Sequence, residues 1–211
     1  SVPGMFILVP FATVLWCFGI HGTIIIVSVL MPLMLQAATA NAAAYAQGGY
    51  SALVFYPVAL FAGIGMCGGT GNTLPLVIFG LKAKSEQIRA VSKIALVPGW
   101  FGINEPVTFG MPIMYNPILC IPFVLNVIVV MACTLLLYKI GFLVPAFVPI
   151  MTLMPMGFGS FLGTLRWQNA IWDYLAMIPA GLVWYPFFKI YDNQLYKKEQ
   201  EAKAAEAAAA K

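Results

Sequence analysis

A chain of 211 residues, 62% hydrophobic and 9% charged, with a mean hydropathy of +0.91, carries more apolar surface than a water-soluble core can use. Soluble domains hold roughly 25% charged residues, so the composition sets an ordinary soluble domain aside and points to an all-α, polytopic membrane protein with transmembrane helices and broken or re-entrant hairpin segments. The net charge of +4 is concentrated in one cluster at Lys82, Lys84, Arg89 and Lys93 and a second along Lys189–Lys211; beside apolar runs such clusters read as cytoplasmic flanks rather than as a nucleic-acid surface.

Residues 5–20 form a first apolar helix, interrupted by Gly19-Ile20-His21-Gly22. Residues 23–35 are apolar again but fall short of the ~20 needed to span a bilayer. The small, polar stretch 36–50 suits an aqueous loop or a cavity wall. Residues 51–66 and 74–81 flank Cys67-Gly68-Gly69-Thr70-Gly71-Asn72-Thr73, a second glycine break. Residues 82–93 read as a short cytoplasmic loop, with Ile88 and Val91 touching the interface. From Pro98 to Pro117 three glycines and four prolines break the chain a third time. Residues 118–138 are the cleanest membrane helix. Residues 142–165 are apolar but rich in proline and glycine, and 171–188 form a last span with Trp172, Trp184 and Tyr185 as interfacial anchors. The tail from Tyr196 is Ala/Glu/Lys-rich and reads as a solvated helix or a disordered segment. If the 82–93 loop and the tail share one side, either 94–117 crosses the membrane or 142–165 re-enters, and the prolines favour re-entry. Residues 5–20 do not read as a signal peptide, and the abrupt apolar start suits a portion of a longer protein.

Glu105 is the only charged residue between Lys93 and Lys139. An acid at membrane depth costs a few kcal/mol and marks a functional site by default. Broken backbone at that depth survives only inside protein or against a watery cavity. Asn104 stands beside Glu105, and Pro106 is expected to hold Glu105 out of helical geometry, so that its carboxylate projects from a turn. His21 is the only histidine and sits at the first break. Trp16, Trp100 and Trp167 lie near breaks, where an aromatic face suits the CH face of a sugar. Each residue also has a bland reading: Glu105 as a cap for freed N–H groups, His21 as a satisfied structural residue, the tryptophans as interfacial belts. One histidine excludes a histidine-based metal site. The cysteines at 17, 67, 120 and 133 lie in apolar runs with no CxxC and read as packing. Gly63, Gly65 and Gly68 match GxGxxG, and Gly159/Gly163 match GxxxG; both read as close packing rather than nucleotide binding.

Phe18-Gly19-Ile20-His21-Gly22, the stretch Gly68–Leu74 and above all Gly102-Ile103-Asn104-Glu105-Pro106-Val107-Thr108-Phe109-Gly110-Met111-Pro112 resemble the membrane component, enzyme IIC, of phosphoenolpyruvate-dependent sugar phosphotransferase systems. The similarity runs from about residue 5 to 190 and is to the lactose/cellobiose/diacetylchitobiose class. It implies that residues 1–190 are the substrate-binding membrane part of the C-terminal half of a longer permease, and 191–211 a cytoplasmic tail. It implies a multi-pass protein of the cell (inner) membrane with a cytoplasmic C-terminus, and a homodimer when full length. It implies a β-linked disaccharide as substrate, with His21 and Glu105 contacting the sugar and Asn104, Trp16 and Trp167 as further substrate-binding candidates. A cytoplasmic IIB partner would carry the phosphoryl donor, so no catalytic residue, metal or cofactor is expected in this chain. Chemically this is coherent: a neutral sugar needs hydrogen-bonding groups, a carboxylate accepts hydroxyl donors strongly, and an imidazole offers one donor and one acceptor. Two other readings remain open: a secondary transporter with Glu105 coupling to protons, and a membrane subunit without substrate.

Overall fold

The computed structural model describes residues 1–150 and 152–209. Nine α-helices occur among the described residues, and no strand. They are α1 (Val2–Cys17), α2 (Gly22–Gly48), α3 (Leu74–Gly80), α4 (Glu86–Trp100), α5 (Glu105–Gly110), α6 (Pro117–Lys139), α7 (Phe158–Thr164), α8 (Trp167–Leu175) and α9 (Met177–Ala209). Two 3-10 segments, Gly49–Ala52 and Pro57–Ile64, join α2 towards α3. Two helical runs, Gly22–Ala52 and Pro117–Lys139, are long and apolar enough to cross a membrane.

The starts and stops follow local chemistry. Ser1 Oγ accepts from Gly4 N and Pro3 occupies the first turn of α1. Asn116 caps α6, with Pro117 in the first turn, where the missing N–H is not needed. Ser85 Oγ accepts from Ile88 N and starts α4. Gly19, at φ +79, turns the chain out of α1. α1 and α2 then cross very tightly: a Cβ on Gly22 would stand 2.2 Å from the Ala12 carbonyl oxygen. Close approach of this kind holds helices together where lipid removes the hydrophobic drive between them.

α6 is the central post. It packs on α1, on the second 3-10 segment and on α9, and α9 also packs on α3. One core gathers Phe123, Leu74, Leu119 and Trp184; a second gathers Met5, Val9, Ile26, Phe61 and Met131.

Several expectations change here. The stretch 23–35 is not a separate short segment: α2 runs on through the alanine-rich 36–48, because alanine is the best helix former available. Within 36–50 the cavity-wall alternative holds, with Ala37, Ala38 and Asn41 facing a cavity. The loop expected at 82–93 is helical from Glu86 onward once Ser85 caps it. Residues 142–165 are not one helix. Three prolines keep residues 141–150 and 152–157 irregular, and Phe147 N and Val148 N donate to Gly163 O at 3.0 and 3.1 Å, so the segment doubles back. Trp172 and Trp184 are not interfacial anchors; they are 7% and 0% exposed, each with its Nε1–H satisfied inside the protein. Tyr185 is exposed.

α9 continues without interruption past residue 190, and its far part folds against the start of α4. Asp192 accepts from Lys84 N and Ser85 N, both at 3.0 Å. Glu199 accepts from Ser85 Oγ, Glu86 N and Gln87 N, and Lys203 Nζ donates to Glu86 at 2.8 Å. The freed N–H groups of α4 are thus capped by carboxylates from the tail. Burial acts to raise the Glu199 carboxyl, but the Ser85 hydroxyl and the Glu86 and Gln87 N–H groups outweigh it and hold it below its ordinary value.

Candidate functional site

Three glycine breaks meet at one place. The middle one, residues 67–73, is built from within. Gly68, Gly69 and Gly71 all have positive φ. Asn72 donates to Gly63 O at 2.9 Å and accepts from Cys67 N, and Thr73 Oγ donates to Gly68 O at 2.6 Å. Trp184 Nε1 reaches in from α9 and donates to Gly71 O and Asn72 O. The third break abuts it: a Cβ on Gly69 would stand 2.4 Å from Gly102 O, and Asn104 Nδ2 donates to Thr70 O at 2.8 Å. The first break is tied by Thr23 Oγ and Thr70 Oγ, 2.9 Å apart, and by Trp16 Nε1 donating to Thr23 Oγ at 3.1 Å. Tyr115, between α5 and α6, fastens the first break from outside through Tyr115 N to Cys17 O and its hydroxyl to Phe18 O.

His21 and Glu105 face each other across this junction, Nε2 to Oε1 3.9 Å, with side chains 36% and 47% exposed. His21 Nδ1 accepts from Ile24 N and caps α2, which leaves Nε2 to carry the ring hydrogen and aim it at Glu105. A separation of 3.9 Å exceeds the ~2.7–3.2 Å of a direct bond. One oxygen that both accepts and donates can sit beside the pair, within hydrogen-bond reach of both atoms, and a hydroxyl is such an oxygen. No hydrogen bond from a described residue ends on the Glu105 carboxylate, so it does not cap freed backbone. Pro106 does not keep Glu105 out of a helix either: Glu105 is the first residue of α5, and Pro106 fits the first turn because that turn needs no N–H.

The other candidates take different places. Trp16 is buried, its ring centroid 4.1 Å from that of His21, so it backs the imidazole. Asn104 is buried and spends its amide on Thr70 O. Trp167 opens α8, is exposed, and lies outside the cavity lining.

Beside the junction lies a cavity of about 540 Å³, whose wall includes Thr23, Asn41, Thr70, Gly102, Trp172 and Asp173. That is within the ~300–1,000 Å³ range of small-molecule sites. No lysine or arginine is among its described lining residues. His21 and Glu105 stand next to this lining, joined to it through Thr23 and Thr70. Thr23, Thr70 and Asp173 are residues that sequence reasoning did not single out. Thr70 sits at the centre of a glycine motif, and Asp173 is an acid in an apolar run, the same signal that marked Glu105.

The family model described as "Phosphotransferase system, EIIC" matches residues 1–126. The chain is 35% identical over 202 residues to the PTS system oligo-beta-mannoside-specific EIIC component of Bacillus subtilis (strain 168), covering 94% of this chain and 46% of that protein. It is 33% identical over 199 residues to the Lichenan permease IIC component of the same organism, covering 93% and 44%. The crystal structure of the transporter ChbC, the IIC component from the N,N'-diacetylchitobiose-specific phosphotransferase system, superposes with a TM-score of 0.87 at 32% identity, over 95% of this chain and 47% of that one. The chain thus spans about half the length of the relatives it matches. The matched residues carry all three breaks, the His21–Glu105 pair and the Asn104–Thr70 tie, and on this ground the chain belongs to the EIIC family of the phosphotransferase system, a family of membrane components.

Proposed function

We propose that this chain is the substrate-binding part of a sugar-specific permease of a phosphoenolpyruvate-dependent phosphotransferase system, which takes a β-linked disaccharide of the cellobiose, diacetylchitobiose or lactose type. The observation that carries the reading is the His21–Glu105 pair, set at 3.9 Å, a spacing that one sugar hydroxyl bridges by accepting from Nε2 and donating to the carboxylate. A cavity without a cation on its described wall favours a neutral sugar over a phosphorylated one, so the site suits substrate and repels product. Asn104, Thr70, Thr23 and Trp16 hold the pair rather than touch the sugar, in this reading. Phosphorylation belongs to a cytoplasmic IIB partner; the permease supplies position. The reading includes a multi-pass arrangement in the cell membrane, a cytoplasmic C-terminus and a homodimer of the full-length protein. The contact of α9 with the start of α4 supports placing the 82–93 region and the tail on one side.

The test is uptake and binding by the full-length protein in membrane vesicles with its phosphocarrier proteins. Disaccharide phosphate should appear inside, and Glu105→Gln should weaken disaccharide binding about tenfold or more, on the ~1.5–3 kcal/mol scale of bonds to a charged group. Free sugar accumulating with a proton gradient would favour the secondary-transport reading instead. Undiminished binding by Glu105→Gln would remove Glu105 from the site.

A further inference from the structure

Asp173 is the one acid on the described wall of the cavity, and it is only 6% exposed. Its two oxygens are used unequally. Oδ2 accepts from Gly157 N at 3.1 Å and from Ser160 Oγ at 2.7 Å. Oδ1 accepts from no described residue. The cavity wall here is a strap: Met156 N donates to Trp100 O at 2.9 Å and Tyr174 OH donates to Met156 O at 2.8 Å, so the segment held by Oδ2 also touches the end of the helix that leads to Glu105. Tyr138, near the end of α6, lines the same cavity; its ring rests on Phe55, and its hydroxyl bonds to no described residue.

A carboxylate oxygen with no described donor, on a residue that lines a cavity of this size, is an acceptor available to a ligand. We propose that Asp173 Oδ1, together with the Tyr138 hydroxyl, forms a second polar subsite that binds a hydroxyl group of the sugar, apart from the one held between His21 and Glu105. Its chemistry is that of an acceptor beside a hydroxyl and no cation, so it takes a hydroxyl donor and rejects a carboxylate or phosphate. Through Oδ2 the same side chain sets the strap, so occupancy of the subsite and order of the strap are linked. This inference rests on the sugar-binding reading above.

Asp173→Asn separates the two roles. An asparagine can place its carbonyl oxygen where Oδ2 stands, keeping the Gly157 and Ser160 bonds, and then presents an NH₂ donor to the cavity in place of the acceptor. The measurement is binding of β-linked disaccharides, and of analogues each lacking one hydroxyl, to the full-length protein, wild type and variant. The expected result is a loss of about tenfold or more for the parent sugar with Asp173→Asn, since a site built to bond a hydroxyl discriminates strongly when the pair is broken. For one analogue, the wild type and the variant should bind alike, and that analogue should differ from the one matched by Glu105→Gln. Tyr138→Phe, which removes only a hydroxyl with no protein partner, should weaken the parent sugar several-fold with no change in thermal unfolding. Wild-type binding with Tyr138→Phe and Asp173→Asn both unchanged, or an equal loss across every analogue, overturns the subsite and leaves the sugar reading in place. A wild-type protein that binds no disaccharide removes the sugar reading and the subsite together.

Discussion

Gly69→Ala adds one methyl group at the point where two breaks touch. Gly69 has φ +74, and a Cβ there would stand 2.4 Å from Gly102 O and 3.1 Å from the Asn104 Cβ. Left-handed backbone costs an L-residue about 1–2 kcal/mol. Forcing a methyl into packed space costs about 1–3 kcal/mol more, for a total near ~2–5 kcal/mol. Carbon–oxygen contacts settle at about 3.3 Å or longer, so the two loops must part by roughly 1 Å. The Asn104–Thr70 bond, 2.8 Å in the native arrangement, would then pass the end of hydrogen-bond range. Gly141→Ala is the control, because Gly141 has φ +76 but open space around its Cβ position. It carries the backbone cost alone, about 1–2 kcal/mol. Thermal unfolding in detergent, paired with calorimetric titration of disaccharide, reads both quantities. Gly141→Ala should lower stability and leave affinity unchanged. Gly69→Ala should lower stability further and weaken binding about tenfold or more, since about 1.4 kcal/mol of lost positioning is a factor of ten. A Gly69→Ala protein no less stable than Gly141→Ala, with native affinity, would refute the claim that contact between the breaks builds the site.

If one hydroxyl bridges His21 and Glu105, a double-mutant cycle of His21→Ala and Glu105→Gln on disaccharide affinity should show coupling of roughly 0.5–3 kcal/mol, whereas independent sites add within about 0.5. Single cysteines at Ala90 and Ala204, both exposed, should resist an impermeant thiol reagent added outside intact cells; labelling of either sinks the shared cytoplasmic side. Because Glu199 titrates below its ordinary 4.5, its contribution to docking the tail on α4 is present above that value and fades as pH falls through the depressed folded value. A spin label at position 204 should therefore gain mobility on acidification, while Glu199→Gln should be mobile already at neutral pH and show no such transition.

The α6 helix was legible residue by residue, since an apolar run of 23 with Asn116-Pro117 ahead of it has one local solution. Glu105 and His21 were legible for a different reason: each violates the local rule, an acid in apolar surroundings and an imidazole between glycines, and such violations concentrate at functional sites. The tryptophans were misjudged because an indole at the end of an apolar run looks the same whether it meets lipid headgroups or a buried carbonyl. Trp184 meets Gly71 O and Asn72 O, 113 and 112 residues away, and no local window holds that information. The path of segment 142–165 was not legible, because proline forbids the helix without saying where the chain goes next.

By itself the sequence determined the all-helical class, the three breaks and the two side chains of greatest interest, because hydropathy and glycine–proline chemistry act within a few residues. Only the tertiary structure decided that the breaks coincide. Thr23 and Thr70 are 47 residues apart, and Asn104 meets Thr70 across 34. It also decided that α9 returns to cap α4, and that Asp173, on the cavity wall, spends one oxygen on Gly157 N and Ser160 Oγ. Those outcomes depend on glycines that let backbones approach to contact and on buried donors that must find acceptors wherever the fold brings them, and both are properties of the packed chain rather than of any stretch of it.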